Sequence, residues 1–262
     1  MKTSKLIGEW MRYARKAKNA HGIHSPFVFE LYNKCLKGRL PAEEIKIFKE
    51  ARRELLNDSS LIDHHDLGAG SRVLKNKGAK RTRHIAKTSL KGLKEAAMLA
   101  LLAEFSKAQT VVELGTSLGT TTMLMALHNP RAKIYTIEGS PAIAHKAKAL
   151  FDKTGLKNIE AVEGSFEEKL PQVLRQTGAV DLFLFDGNHR YEATMRYFAE
   201  AREYSREQSI FVFDDIRWSE EMLQAWKEIE NHPKTSLTLD LFSMGIAFIN
   251  PAFSRQNMVL KW

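Results

Sequence analysis

Cysteine is all but missing from this chain of 262 residues, Cys35 being the single one. One thiol cannot close an internal disulfide, so burial and hydrogen bonds must hold the fold, and a reducing compartment is implied. Cys35 sits in a helical pattern and reads as a packing residue. No stretch approaches the roughly 20 apolar residues that crossing a bilayer requires. The longest clean run is AAMLALLA at 96–103, the length of a buried helix segment. The first residues, MKTSKLIGEWMRYARKAK, are basic but have neither an apolar h-region nor a small-residue cleavage site, so a cytoplasmic location is expected. His21, His24, His64 and His65 lack the cysteine or spaced acid that would complete a zinc set. Acids are absent altogether from residues 67–94, where Arg72, Lys75, Lys77, Lys80, Arg81, Arg83, Lys87, Lys91 and Lys94 occur.

What is present is a soluble, globular composition, 44% hydrophobic and 27% charged, enough for one core domain plus an extension. Charge is divided unevenly. Residues 1–94 carry 22 Lys and Arg against 9 Asp and Glu, and the rest carry 18 against 22. The acid-free run attracts anions. A solvated loop, a patch for a phosphate or carboxylate on a substrate, and a nucleic-acid surface are all compatible with it, although the aromatic interleaving of single-strand platforms is missing.

Apolar residues recur at helical spacing over 4–18, 26–37 and 42–57, with Ser25 as N-cap and Pro26 at the first helical position of the second, and LKEAAMLALLAEF makes a long buried helix. From Thr110 the pattern changes. TVVEL, KIYTIE, IEAVEG, VDLFLFD and SIFVFDD alternate with helices near 119–128, 141–154, 166–176, 191–205 and 219–230. That repetition predicts an α/β fold with a mostly parallel sheet and helices on both faces. TSLTLDLF and MGIAFIN, joined by a few residues around Ser243, close the chain as an antiparallel hairpin. The division expected is a basic helical cap over 1–94 and an α/β domain over 95–262.

Two glycine loops compete for a ligand. A phosphate- or nucleotide-binding turn follows a buried strand and opens a helix. ELGTSLGT at 113–120 has that context, with TVV before it and TTTMLMAL behind. DLGAGS at 66–71 follows SSLIDHH, which does not read as a strand, and precedes RVLKNKGAKR, which does not read as a helix. It is left as a glycine turn or a substrate-side loop, with Asp66, Ser71 and Arg72 as candidates. ELGTSLGT is not the dinucleotide fingerprint GxGxxG either, because Glu113 stands at the first glycine position and the spacing is ELGxxxG. It resembles motif I of the class I S-adenosylmethionine-dependent methyltransferases, and the signals after it, IYTIEGS and EGSF, follow in that family's order over residues 110–250.

The resemblance implies a Rossmann-like, seven-stranded sheet and S-adenosylmethionine (SAM) as cofactor. Glu113, Gly115, Thr116, Ser117 and Gly119 would form its loop, Glu138 would accept hydrogen bonds from the ribose hydroxyls, and Gly164, Ser165 and Phe166 would border the adenine. The chain is further similar to the small-molecule O-methyltransferases of the catechol and caffeoyl-CoA type, which also carry extra N-terminal helices. By that likeness Asp186, Asp214 and Asp215 would hold Mg²⁺ or another divalent ion, with Asp215 departing from the amide commoner there. Asp186 has a second possible use in orienting the cofactor's amino group or the substrate. His189 would be the general base, with Tyr191, Trp218 and His24 beside the acceptor. Three functions follow as alternatives: methylation of a small-molecule hydroxyl, anionic acceptors suiting the basic front; methylation of RNA through that front; and cofactor binding without catalysis. The last leaves the clustering of Asp186, His189, Asp214 and Asp215 without a reason. Oligomeric state is not legible from these residues.

Overall fold

The computed structural model describes residues 1, 3–64 and 78–262. The DLGAGS loop, with Asp66, Ser71 and Arg72, lies outside them. Helix α1 (Thr3–Lys16) is followed by α2 (Pro26–Leu31), which Ser25 caps by accepting from the Val28 amide at 3.4 Å and which runs into a π turn over Tyr32–Leu36. Helix α3 (Ala42–Asn57) comes next. A two-stranded antiparallel sheet then pairs β1 (Leu61–His64) with β2 (Gly78–Arg81). This corrects the expectation that SSLIDHH forms no strand: four residues are too few to declare themselves, and a partner seventeen positions later supplies the ladder. The basic stretch also contains a helix, α4 (Thr82–Ser89), whose Ile85 and Ala86 pack with Ile62, Leu118 and Ile143. Helix α5 (Leu93–Phe105) matches the LKEAAMLALLAEF pattern.

The alternating region gives β3 (Thr110–Leu114), α6 (Thr120–His128), β4 (Lys133–Glu138), α7 (Pro141–Thr154), β5 (Ile159–Glu163), α8 (Phe166–Thr177), β6 (Val180–Phe185), α9 (Tyr191–Glu203), β7 (Ser205–Phe213), α10 (Glu220–Asn231) and the strands β8 (Leu237–Asp240) and β9 (Gly245–Phe248). These strands lie in the order β8-β9-β7-β6-β3-β4-β5, and β9 alone runs against its neighbours, as the short connection at Ser243 requires. An eighth strand, β10 (Gln256–Val259), adds itself parallel to β8, so the described sheet exceeds the expected seven. Its sequence, QNMV, has no apolar alternation, and its pairing to β8 defines it. The chain leaves β3 for β4 and β5 on one side and returns to β6 on the other, which opens a crevice at the carboxyl ends of β3 and β6.

Period-two alternation divides the core. Val111, Leu182, Leu184, Ile210 and Val212 face one side with α5 and α6, and Val112, Leu114, Phe183, Phe185, Phe211 and Phe213 face the other with α8, α9 and α10. The first cluster also contains Val28, Leu31, Cys35 and Phe48, so the N-terminal helices are packed into the same core as the sheet. Cys35 is enclosed there, and burial pushes its thiol up to about 12, in keeping with a packing role. Helix α1 is fixed separately: Tyr13 donates to the Leu260 carbonyl at 2.6 Å, and Glu9 approaches Arg217, which grips Asp240 with two bonds of 2.8 and 2.6 Å.

Between β6 and β7, Phe183 stacks on Phe211 with centroids 5.0 Å apart, and Phe185 on Phe213 at 4.7 Å. These are the register partners of the two strands, and a slip by one residue would send each ring to the opposite face. The ladder therefore decides what lies beside what at the strand ends. Replacing Phe213 by alanine should cost about 3–5 kcal/mol, as large core truncations do. Urea denaturation monitored by circular dichroism would measure it, and a loss below about 1 kcal/mol would refute the assigned packing.

Candidate active site

Every residue singled out at a strand end sits on the carboxyl edge of the sheet, because parallel strands deliver their following loops to one side. Gly115 leaves β3 with φ of 103°, and a Cβ there would lie 2.2 Å from the Asp186 carbonyl oxygen. Only glycine lets this loop rest on the end of β6. The loop is also held from the neighbouring strand: Glu138, at the tip of β4, accepts from the Ser117 amide at 2.9 Å with one carboxylate oxygen and from the Ser140 amide at 2.9 Å with the other. Ser117 itself has φ of 49°.

Glu113 lies behind the loop. It is 1% exposed and accepts from the hydroxyls of Thr122 in α6 and Thr136 in β4, while Thr116 shares a 2.6 Å hydrogen bond with Thr136. Burial raises its carboxyl above the ordinary glutamate range against the pull of those hydroxyls. Glu113 thus braces the loop from behind, through Thr136 and Thr122. Across the crevice Ser165 caps α8, and the Phe166 ring covers Gly187 so closely that a Cβ there would meet it at 2.5 Å. Gly115, Gly187 and Phe166 therefore meet at one place.

Asp186 and Asp214 are the next residues after the stacked Phe185 and Phe213, and their amides donate to the Leu114 and Phe185 carbonyls, at 2.8 and 2.9 Å. Side by side at the sheet edge, they face Lys91. Its Nζ is 3.0 Å from Asp186 Oδ2 and closer still to Asp214 Oδ2, and its side chain is 8% exposed. Lys91 comes from the short link between α4 and α5, next to Gly92, whose amide donates to Glu95 at 2.8 Å and so fixes the start of α5. Burial works against the ammonium, but the two carboxylates outweigh it and hold Lys91 above the usual lysine value. Burial also pushes Asp186 well above the aspartate range, whereas at Asp214 it is overcome by Lys91 and by a hydrogen bond with Asp186, leaving that carboxyl low. Burial and Lys91 thus act in opposite directions on the two acids, and the balance differs between them.

Sequence reasoning placed Lys91 in a run of nine basic residues and gave it no separate role. Nothing local marks it, since its partners lie about a hundred positions away. Other members of that run are occupied too: Arg81 donates to the Ser59 carbonyl at 3.1 Å, and Lys94 stands 4.5 Å over the Trp262 ring.

The three acids expected around a divalent ion do not converge. Asp215 has φ of 53°, and its Oδ2 lies 3.8 Å from His189 Nε2. Among the described residues no group of three or more His, Cys, Asp and Glu is placed to hold a metal. A site with two carboxylates already bridged by an ammonium does not fit Mg²⁺, which demands several hard oxygens. The His189 ring is 6.2 Å from that of Trp218, so these two do share the edge with Asp215. Tyr191 points elsewhere, donating to Glu228 of α10 at 2.7 Å. His24 is exposed before α2, with no polar contact to this group. His128, for which the sequence suggested no partner, bridges Glu44 and Glu104 at 2.8 and 3.2 Å, far from the edge.

The fold has counterparts in known proteins. The family model described as a methyltransferase domain matches residues 112–216. Over that stretch the chain is similar to a methyltransferase domain. Catechol O-methyltransferase of Niastella koreensis is 30% identical over 121 residues, 45% of this chain and 54% of that protein, so the match spans about half the length of that curated relative. A methyltransferase from Podospora anserina, bound to S-adenosylhomocysteine (SAH), superposes with a TM-score of 0.59 at 14% identity, over 87% of this chain and 97% of that one. An O-methyltransferase of tomaymycin synthesis from Streptomyces achromogenes, in complex with SAM, gives 0.58 at 17%, over 85% and 96%. At such identities the likeness is one of fold. The stretch so matched includes the glycine loop, Glu138, Asp186, His189 and the Asp214–Asp215 pair, while Lys91 enters the site from outside it. No helix among the described residues is long and apolar enough to cross a membrane.

Gly115 and Gly155 offer a paired test of how tightly the loop is fitted. Both have positive φ, but a Cβ at Gly155 would meet nothing within 4 Å. Gly155→Ala should therefore cost only the backbone strain, about 1 kcal/mol, and Gly115→Ala clearly more, about 2–4 kcal/mol, because the Asp186 carbonyl must also move. Equal melting temperatures for the two variants would show that the loop does not rest on β6.

Proposed function

We propose that this protein is an SAM-dependent methyltransferase that methylates a hydroxyl oxygen of a small molecule. The observation that supports this most is the meeting, at one sheet edge, of a glycine loop clamped by Glu138 with the group formed by Lys91, Asp186, Asp214 and His189. A binding module would need the first of these and have no use for the second. The curated relative is named for catechol, which is a hydroxyl-bearing small molecule.

In this reading Glu138 receives the ribose hydroxyls, the backbone from Gly115 to Gly119 bounds the rest of the cofactor, and Phe166 with Ser165 borders the adenine. When bound, the cofactor supplies a sulfonium methyl: an acceptor oxygen forms the new O–CH3 bond as the S–CH3 bond breaks with its electron pair returning to sulfur, leaving SAH. The acceptor's proton goes to His189. Its Nε2 faces Asp215, which leaves Nδ1 to take the proton and sets a carboxylate beside the imidazolium that results. Holding the two reactants in line accounts for most of the remaining acceleration, worth about 7–11 kcal/mol in well-oriented systems.

Calorimetry with SAH tests the cofactor half of the reading. Glu138→Ala should weaken binding about 10- to 100-fold, through loss of charge-assisted hydrogen bonds and of the Ser117 clamp. Unchanged affinity would refute the assignment. For the base, methyl transfer from labelled SAM to a panel of phenols headed by catechol should fall roughly 100-fold or more in His189→Ala, with a deficit that shrinks as pH rises and the acceptor ionises unaided. A deficit constant across pH would remove His189 from proton transfer.

A further inference from the structure

The methyltransferase domain meets Lys91 where its relatives' likeness led to the expectation of an ion. We propose that Lys91 is this protein's built-in replacement for a divalent ion, its ammonium filling the position between Asp186 and Asp214 and making methyl transfer independent of metal. The catalytic part of this inference rests on the methyl-transfer reading above; the cation part rests on geometry alone.

Lys91 Nζ engages the same oxygens, Asp186 Oδ2 and Asp214 Oδ2, that an ion would need at about 2.0–2.6 Å. Ion and ammonium exclude each other there by volume and by charge. The third acid, Asp215, has its Oδ2 3.8 Å from His189 Nε2, and among the described residues no group of three or more His, Cys, Asp and Glu is placed to hold a metal. Lys91 has little freedom to withdraw, being 8% exposed and one residue from the hydrogen-bonded start of α5. An ammonium carries three hydrogens. Two would serve the carboxylates that Nζ contacts, and in this proposal the third would serve one oxygen of an acceptor. A divalent ion can chelate two adjacent oxygens, whereas this arrangement recognises one. The positive charge that stabilises a developing oxyanion is thus supplied by the chain itself, and it cannot be removed by a chelator.

The test is a Mn²⁺ titration followed by electron paramagnetic resonance, run with and without SAH, with SAH affinity measured on the same samples. Wild-type protein should show no saturable Mn²⁺ site. Lys91→Ala should acquire one, and the double variant Lys91→Ala with Asp186→Asn should lose it again. Lys91→Gln, closer in length, is carried in parallel in case the alanine variant fails to fold. A saturable site in the wild type that Asp186→Asn abolishes would overturn the proposal. So would a folded Lys91→Ala or Lys91→Gln protein that gains no site, because ammonium and metal would then not share a position. Failure of the wild type to bind SAH would sink the methyl-transfer reading instead, and the titration without SAH would still decide whether Lys91 holds the cation position.

Discussion

A single buried ammonium between two carboxylates organises the candidate site. Burying Asp186 and Asp214 side by side is costly, since each carboxylate loses water and repels the other. Lys91 offsets both effects, and removing one partner from such a group is typically destabilising by about 3–5 kcal/mol. The link between α4 and α5 must therefore cross the sheet edge at this point. That crossing has further consequences: α4 is brought against Leu118 at the tip of the glycine loop, and Ser89 comes within 3.0 Å of Ser117. The charge cluster and the glycine loop are in this way supported by one segment.

The cluster depends in turn on strand register. Asp186 and Asp214 are neighbours because Phe185 and Phe213 are stacked one residue earlier. The aromatic ladder is apolar and buried, yet it sets the separation of two acids to within the freedom of their side chains. Precision at the edge is inherited from packing beneath it. Three of the five non-glycine residues with positive φ among those described, Ser117, Asn188 and Asp215, lie at the same edge. Such conformations cost of order 1–3 kcal/mol each and persist where surrounding structure over-determines them.

The N-terminal third contributes differently from what its charge suggested. Its basicity reads as a surface property, and for Lys87, which is exposed, it is one. For Lys91 and Lys94 it is local chemistry, one ammonium taken up by carboxylates and the other by an indole ring. A count of charges cannot separate these uses, because each depends on what the fold sets opposite the nitrogen.

The alternating strands and helices, their order, the hairpin and the glycine loop were legible in the sequence, because each is written in local periodicity or in a short motif with a fixed strand–turn–helix context. The positions of Glu138, Asp186 and Asp214 at strand ends were legible for the same reason. Short pairings were not: β1 owes its existence to β2, and β10 to β8, and neither four-residue segment carries a pattern strong enough to announce a partner. The separation of Asp215 from Asp214 was hidden as well, since adjacent residues in sequence diverge when the backbone between them enters the left-handed region. Above all, the sequence determined that acids would gather at one edge of a parallel sheet. Only the tertiary structure decided that a lysine from a preceding link would reach them, because an ion pair across such a separation is encoded in chain path and burial, and in no spacing between its members.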